Sequence, residues 1–283
     1  MARVIEKKKR QETKLADDFE PDADGVDAHV ATGPLKRDLV AGLEKGLAVI
    51  EAFDQERPRL TISEVAERTG LTRAAARRYL LTLTHLGFVH QERKMFALAP
   101  RALRLAQSYM HSARLPRVVQ PALTELANSL HEASAASVLD DADAICIAAT
   151  SAGRNVSATL QPGIRVPAYC TANGRVLVAA LPEAEAEAWL AHQTLRALTP
   201  HTITQPDKLR AELRRTREQG YATVDQELEL GMRTLSVPLS NWRGETVAAM
   251  NLTVQASRMS IDDLVATGLP ALRQTQARLR QLL

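Results

Sequence analysis

A chain of 283 residues with 36 Lys plus Arg, 33 Asp plus Glu and a formal charge of +3 carries 45% hydrophobic residues, ample for one large or two modest cores. That apolar share excludes a disordered or fibrous chain, and Cys146 and Cys170, the only cysteines, cannot form a disulfide framework. No apolar stretch approaches the ~18 to 20 residues that span a bilayer, so no membrane partner is expected. With a charged N-terminus, the expectation is a soluble cytoplasmic protein in which the sequons at Asn155 and Asn251 are chance matches.

Residues 1–37 join a basic run, Lys7 to Arg10, to an acidic one between Asp17 and Asp27, 8 basic and 8 acidic residues in all with almost no apolar periodicity. This segment reads as a solvated, disordered tail. A sharper alternative makes Lys7 to Arg10 an auxiliary phosphate-binding arm, although like-charge runs are ordinarily just solvated. Residues 113–283 balance 17 charges of each sign, so the whole excess lies between 38 and 112. There, residues 38–69 hold 4 basic and 7 acidic groups, whereas 70–112 hold 7 basic ones (Arg73, Arg77, Arg78, Arg93, Lys94, Arg101, Arg104) against Glu92 alone. A local +6 is the electrostatic footprint of a nucleic-acid contact.

Leu43, Leu47, Ile50 and Phe53 recur at helical spacing and predict an amphipathic helix over residues 42–53. Thr61 with Glu64 forms a capping box ahead of Ile62, Val65 and Ala66, and that helix stops at Gly70. Thr72 then caps a third helix reaching about Leu86, which completes a helix-turn-helix. Wrapped at ~100° per residue, Ala76, Tyr79, Leu80, Leu83 and Leu86 share one face, and Arg73, Arg77, Arg78, Thr84 and His85 share the other. A three-arginine face alone is as readily a solvated one. Its neighbours favour DNA, where the arginine fork grips phosphate or the guanine edge. Phe88 to His90 and Met95 to Leu98 predict a hairpin, or wing, whose Arg93 and Lys94 lie against the backbone or minor groove.

Residues 38–99 are thus read as a winged helix-turn-helix domain. Pro100 opens a linker helix within 100–115, and its apolar Leu103, Leu105, Ala106, Tyr109 and Met110 predict packing against a second subunit. Residues 116–283 read as a mixed α/β domain. The predicted elements are a helix from Pro121 to His131, strands from Ala135 to Leu139, Ile145 to Thr150 and Val166 to Tyr169, and helices over 172–181, 183–191 and 206–219. A hairpin follows, Leu235 to Leu239 with Thr246 to Val254, and then a last helix capped at Ser260. Antiparallel strands with helices to one side leave a sheet face that could hold a ligand.

Four separated stretches carry a resemblance: Gly42 to Phe53, the helix-turn-helix from Thr61 to Gly87, Val166-Pro-Ala-Tyr-Cys-Thr-Ala-Asn-Gly-Arg175, and Val224-Asp-Gln-Glu-Leu-Glu-Leu-Gly231. In that order they resemble the IclR family of bacterial transcriptional regulators over about residues 40–283. Pro167 to Thr171 is similar to the subgroup controlling protocatechuate, 4-hydroxybenzoate and related aromatic-acid catabolism. The resemblance implies an α+β protein: a winged helix-turn-helix joined by a linker helix to a GAF-like effector-binding domain. It further implies a homodimer or tetramer on double-stranded operator DNA, responding to a small carboxylate effector. Positions matching the family's ligand contacts are Ala172 and Asn173 at a helix start, Asp225, Thr234 and Ser236, and Asn251 and Thr253 on the last strand. Members that bind glyoxylate-like ligands tend to have Cys near Thr234 and Ser near Asn251 and Thr253, so their ligand does not carry over.

An aromatic carboxylate also calls for a cation, and Arg154 is the candidate. Asp225 would repel it, so its fitting role is to accept a ligand hydroxyl or orient neighbouring amides. No nucleophile elbow, P-loop, Rossmann glycine run or metal-ligand spacing appears, and no cofactor is expected. Cys170 at a helix start is a conceivable nucleophile without an identifiable His or acid partner. The rival class is therefore a small-molecule-modifying enzyme with an appended DNA-binding domain, and turnover by purified protein separates the two.

Overall fold

A computed structural model of the protein describes residues 36–54, 56–150 and 161–283. Most of the 1–37 tail and all of Arg154 and Asn155 lie outside the described residues. The chain divides into two units between Leu98 and Ala99.

In the first unit, helix α1 (Ala41–Glu51) precedes α2 (Ile62–Thr69), which starts at Thr61 with both halves of the capping box made and ends at Gly70 with φ 65°. Thr72 caps α3 (Arg73–His85) by accepting from the Ala75 amide at 3.2 Å. Strands β1 (Val89–Glu92) and β2 (Met95–Leu98) pair antiparallel across a turn of only Arg93 and Lys94, shorter than the polar tip expected, with Arg93 at φ 55°. Leu60 adds a bridge to Phe96. The core gathers Val49, Phe53, Leu60, Val65, Ala76, Leu80, Leu83, Val89 and Phe96. Leu43 and Leu47, expected on the buried side of α1, are 63% and 47% exposed. The reason is Tyr79, which lies against Gly42 and Gly46 and so turns the neighbouring leucines outward. Leu86 is the C-cap of α3 and is also exposed.

In the second unit, a 3₁₀ turn at Pro100–Ala102 leads into α4 (Leu103–Ser112); after Ala113 the chain enters α5 (Arg114–Leu130). This helix begins before the predicted Pro121, because Pro116 falls in the first turn, where amides need no intrahelical acceptor. Strands β3 (Ala133–Asp140), β4 (Asp143–Thr150) and β5 (Arg165–Pro167) precede α6 (Ala172–Ala179), α7 (Glu183–Ala191) and α8 (Pro206–Gln219). Strands β6 (Ala222–Asp225), β7 (Met232–Ser240) and β8 (Thr246–Gln255) and helix α9 (Ile261–Arg280) complete it. The expected third strand stops early, since Ala168–Cys170 is a 3₁₀ turn, and β6 was not among the predicted strands.

All pairings are antiparallel, in the order β5-β4-β3-β8-β7-β6. Period-two alternation sorts the faces. Leu235, Val237 and Leu239 of β7 and Met250, Leu252 and Val254 of β8 pack against α5 and α9. The opposite face was expected to be free of helices. Instead α6 covers part of it, buried along its whole length, with α7 and α8 stacked beyond. At the centre, Ala136 pairs with Ala148 but Ser137 with Cys146, so Ile147 is an extra residue in β4. This bulge lets the consecutive Ile147 and Ala148 both join the helix-side core, while Cys146 turns to the α6 face. Among the described residues, no helix is long and apolar enough to cross a membrane.

Candidate functional site

Between the N-terminus of α6 and the uncovered part of the sheet lies a cavity of about 630 Å³, counting its open mouth. Its wall takes Ala135 and Ser137 from β3, Ala144 and Cys146 from β4, Val224 from β6, Thr234 from β7, and Asn251 and Thr253 from β8. Ala172 and Asn173, the first residues of α6, close it on the helix side, and Glu227, Leu228 and Glu229 border it. Five of the residues named from sequence therefore come together: Ala172, Asn173, Thr234, Asn251 and Thr253.

The local sequence holds α6 in place. Thr171 Oγ1 accepts from the Gly174 amide at 3.2 Å, and the Arg175 amide donates to Thr171 O at 2.9 Å. That leaves the amides of Ala172 and Asn173 with no protein acceptor among the described residues. They are the free donors of a helix N-terminus, where an anion is favoured. The Asn173 side chain spans to the sheet: Nδ2 donates to Ser137 Oγ at 3.0 Å, and Oδ1 accepts from Ser236 Oγ at 2.6 Å. Asn251 Oδ1 accepts from the Ala135 amide at 2.8 Å, which turns its Nδ2 toward the cavity. Thr234 and Thr253 face each other with hydroxyls 3.4 Å apart.

Two residues named from sequence are placed differently. Ser236 is fully buried and does not line the cavity; it stands behind Asn173, where its one proton goes to the nearer acceptor, Asn173 Oδ1 at 2.6 Å, and Met250 O lies 3.1 Å from the same hydroxyl. Asp225 is not part of the wall either. Val224 faces the cavity, so its neighbour Asp225 points to the other side of β6, where it holds Arg233 through Nε at 2.9 Å. Hydrogen bonds from Arg233 hold the Asp225 carboxyl below its usual pKa. Arg233 in turn donates to Ala256 O and Met259 O, so this pair ties β6 and β7 to the turn before α9. The ligand-orienting role expected of Asp225 is thereby corrected to a structural one. Arg154 lies outside the described residues.

Sequence reasoning missed a buried ion pair behind the helix. Arg175, 1% exposed, donates to Glu227 at 2.6 Å and to Tyr169 O at 3.0 Å, while the Glu227 carboxylate also takes the Ile203 amide. Arg175 sat in its quoted motif as a single charge inside an apolar run, the signal that could have exposed it, whereas Glu227 was masked by Asp225 and Glu229 beside it. Glu227 thus spends its charge on Arg175 and away from the cavity. Ser137 was missed because a serine among alanines on a strand offers no contrast. Burial pushes the Cys146 and Cys170 thiols up to about 11 and about 12, so neither is the activated thiolate that a nucleophilic role requires.

In the first unit, Thr72, Arg73, Arg77, Arg78, His85, Arg93 and Lys94 are all exposed. Arg73, Arg77 and Arg78 project from α3, Arg93 and Lys94 form the wing turn, and His85 is the last residue of α3. Among the described residues none of these five cationic side chains has an acidic partner, while Glu92, the lone acid of the basic segment, is paired with Arg59 at 3.0 Å. The charge therefore faces solvent uncompensated.

Known families match both units: the IclR helix-turn-helix domain over residues 42–93 and the bacterial transcriptional regulator IclR C-terminal domain over residues 107–280. The Pca regulon regulatory protein of Pseudomonas putida is 37% identical across 83% of this chain and 81% of its own length. The p-hydroxybenzoate hydroxylase transcriptional activator of Acinetobacter baylyi is 38% identical across 87% and 92%. Among solved structures, a double mutant of the inducer-binding domain of the Acinetobacter transcription factor PobR, in complex with 3-hydroxybenzoic acid, is 31% identical with a TM-score of 0.57, covering 59% of this chain and 98% of that one. With an uncompensated cationic helix-turn-helix, a cavity-bearing α+β unit and relatives matching most of its length, the chain belongs to the IclR family of DNA-binding transcriptional regulators.

Proposed function

We propose that this regulator controls genes for breakdown of an aromatic carboxylic acid and that the acid, or a close product, is its effector in the cavity. One observation carries the reading: the wall presents a cluster of free donors, the Ala172 and Asn173 amides with Asn251 Nδ2. Donors at a helix N-terminus beside apolar Ala135, Ala144, Val166 and Val224 suit a carboxylate on a flat hydrocarbon body. The relatives named for pca and p-hydroxybenzoate regulation and the PobR complex favour the aromatic class. Thr234 and Thr253 then contact the bound acid, Ser236 acts through Asn173, and Asp225 takes no part.

The DNA contacts proposed are Thr72, Arg73, Arg77 and Arg78 at the start and along α3, His85 at its end, and Arg93 and Lys94 in the wing. Two copies meet through apolar side chains that α1 and α4 leave exposed, Leu43 and Leu47 on one and Leu103, Leu105 and Tyr109 on the other. We assign no catalysis: the protein binds its acid without turning it over. A thermal-shift screen of 3-hydroxybenzoate, 4-hydroxybenzoate, protocatechuate and glyoxylate tests the ligand class, since a ligand at 100 times its Kd stabilises by about 2.7 kcal/mol. Stabilisation by glyoxylate alone would refute the aromatic assignment, and consumption of any of these acids would refute the assignment of no catalysis.

A further inference from the structure

We infer that Ser137 recognises the effector, donating its hydroxyl proton to an oxygen of the ligand carboxylate; this rests on the cavity being the effector site. Ser137 lines the cavity at 5% exposure and is held by Asn173 from α6. The 2.6 Å separation of Asn173 from Ser236 Oγ fits an O–H···O bond and is short for N–H···O, which runs ~2.7 to 3.2 Å. The amide oxygen therefore faces Ser236, and the amide nitrogen, 3.0 Å from Ser137 Oγ, donates to it. A serine hydroxyl has one proton to give. Having accepted from Asn173, Ser137 keeps that proton, and no hydrogen bond from Ser137 Oγ to an acceptor is made among the described residues.

The position of this free donor specifies what it reads. Asn173 is the second residue of α6, and its amide forms half of the carboxylate site, so the serine that its side chain grips stands beside the same end of the ligand. A carboxylate oxygen satisfies the Ser137 proton, whereas a ligand donor there would leave it unpaired. The Ser236, Asn173 and Ser137 series thus fixes hydrogen-bond polarity from the buried sheet outward, and the cavity end carries the donor.

The test is calorimetric titration of the full-length protein with benzoate and with 4-hydroxybenzoate, which share the carboxylate and differ in the ring hydroxyl. Ser137→Ala should weaken both by about tenfold or more, as expected for a hydrogen bond to a charged acceptor. Ser137→Cys, which keeps the volume and a weak S–H donor, should lie between alanine and wild type. It carries the same prediction if the alanine variant folds poorly, which its melting temperature without ligand will report. Unchanged affinity for both acids, or a loss confined to 4-hydroxybenzoate, would overturn the assignment of Ser137 to the carboxylate. Wild-type protein that binds neither acid would instead overturn the effector reading of the cavity, and the Ser137 role with it.

Discussion

At Gly174 a methyl group has nowhere to go. A Cβ built there would lie 2.2 Å from Ala168 O and 2.3 Å from Ala168 Cα, backbone atoms of the turn that sets the start of α6. Gly174→Ala must push helix and turn apart; a cost of about 3 kcal/mol corresponds to roughly 6 to 12 °C in Tm, with effector affinity falling as the helix amides shift. Gly46 makes the contrast: its Cβ would sit 3.9 Å from the Tyr79 ring, an ordinary contact, so Gly46→Ala should gain about 1 kcal/mol of helix propensity. Differential scanning calorimetry separates the two, and equal shifts would contradict the geometry. The cysteines give a pH prediction. Cys170 is raised from 9.0 to about 12 in the folded chain, so the unfolded chain releases the thiol proton first. Its contribution to stability is complete below pH 9 and is lost as pH rises toward 12. Urea unfolding of Cys170→Ala between pH 8 and about 10.5 should show a shallower alkaline decline than wild type.

Among the elements, α3 was the most legible in sequence, because its cap, its apolar stripe and its arginines all obey one period of 3.6 residues. Leu43 and Leu47 misled because periodicity shows that a stripe is apolar and not what covers it. The start of α5 misled because a proline in a first turn looks like a boundary. The cavity was half legible: the family resemblance supplied the α6 start and alternate residues of β7 and β8, but which strand face met the helix depended on pairing register. Asp225 fell on the other face, whereas Ser236 shares the face of Thr234 and lies beneath α6, bonded to Asn173. For α3, Arg77→Ala should weaken operator binding by about 1 to 3 kcal/mol if Arg77 reads a base. A phosphate contact would instead lower affinity for all sequences alike and reduce the salt slope by about 1. Fluorescence anisotropy on operator and random duplexes at several salt concentrations decides, and wild-type affinity in the variant would remove Arg77 from the interface.

For the whole molecule, the formal charge of +3 hides a segment in which seven cations face one anion, and Arg59 already neutralises that anion. Non-specific attraction should therefore be modest and strongly salt-dependent, with specificity left to a few arginines. Effector and operator must influence each other's affinity by the same factor, whichever direction the switch takes. If α1 and α4 supply the contact between copies, Leu43→Glu with Leu103→Glu should move the sedimentation coefficient to that of a monomer and lower operator affinity. An unchanged coefficient would place the contact elsewhere.

The additional residue in β4 makes part of the cavity a matter of counting. The two ends of the strand are out of step with each other, and Ile147 absorbs the difference. Removing Ile147 would cost a buried side chain yet leave Ala144 and Cys146 facing the same way. Removing Ile145 would turn Ala144 to the opposite face of the strand, where Ile145 now sits half-buried. A gain or loss of one residue can thus exchange which side chains meet the ligand while the sheet persists, so insertions and deletions in this strand offer a route to new effector preference as direct as substitution.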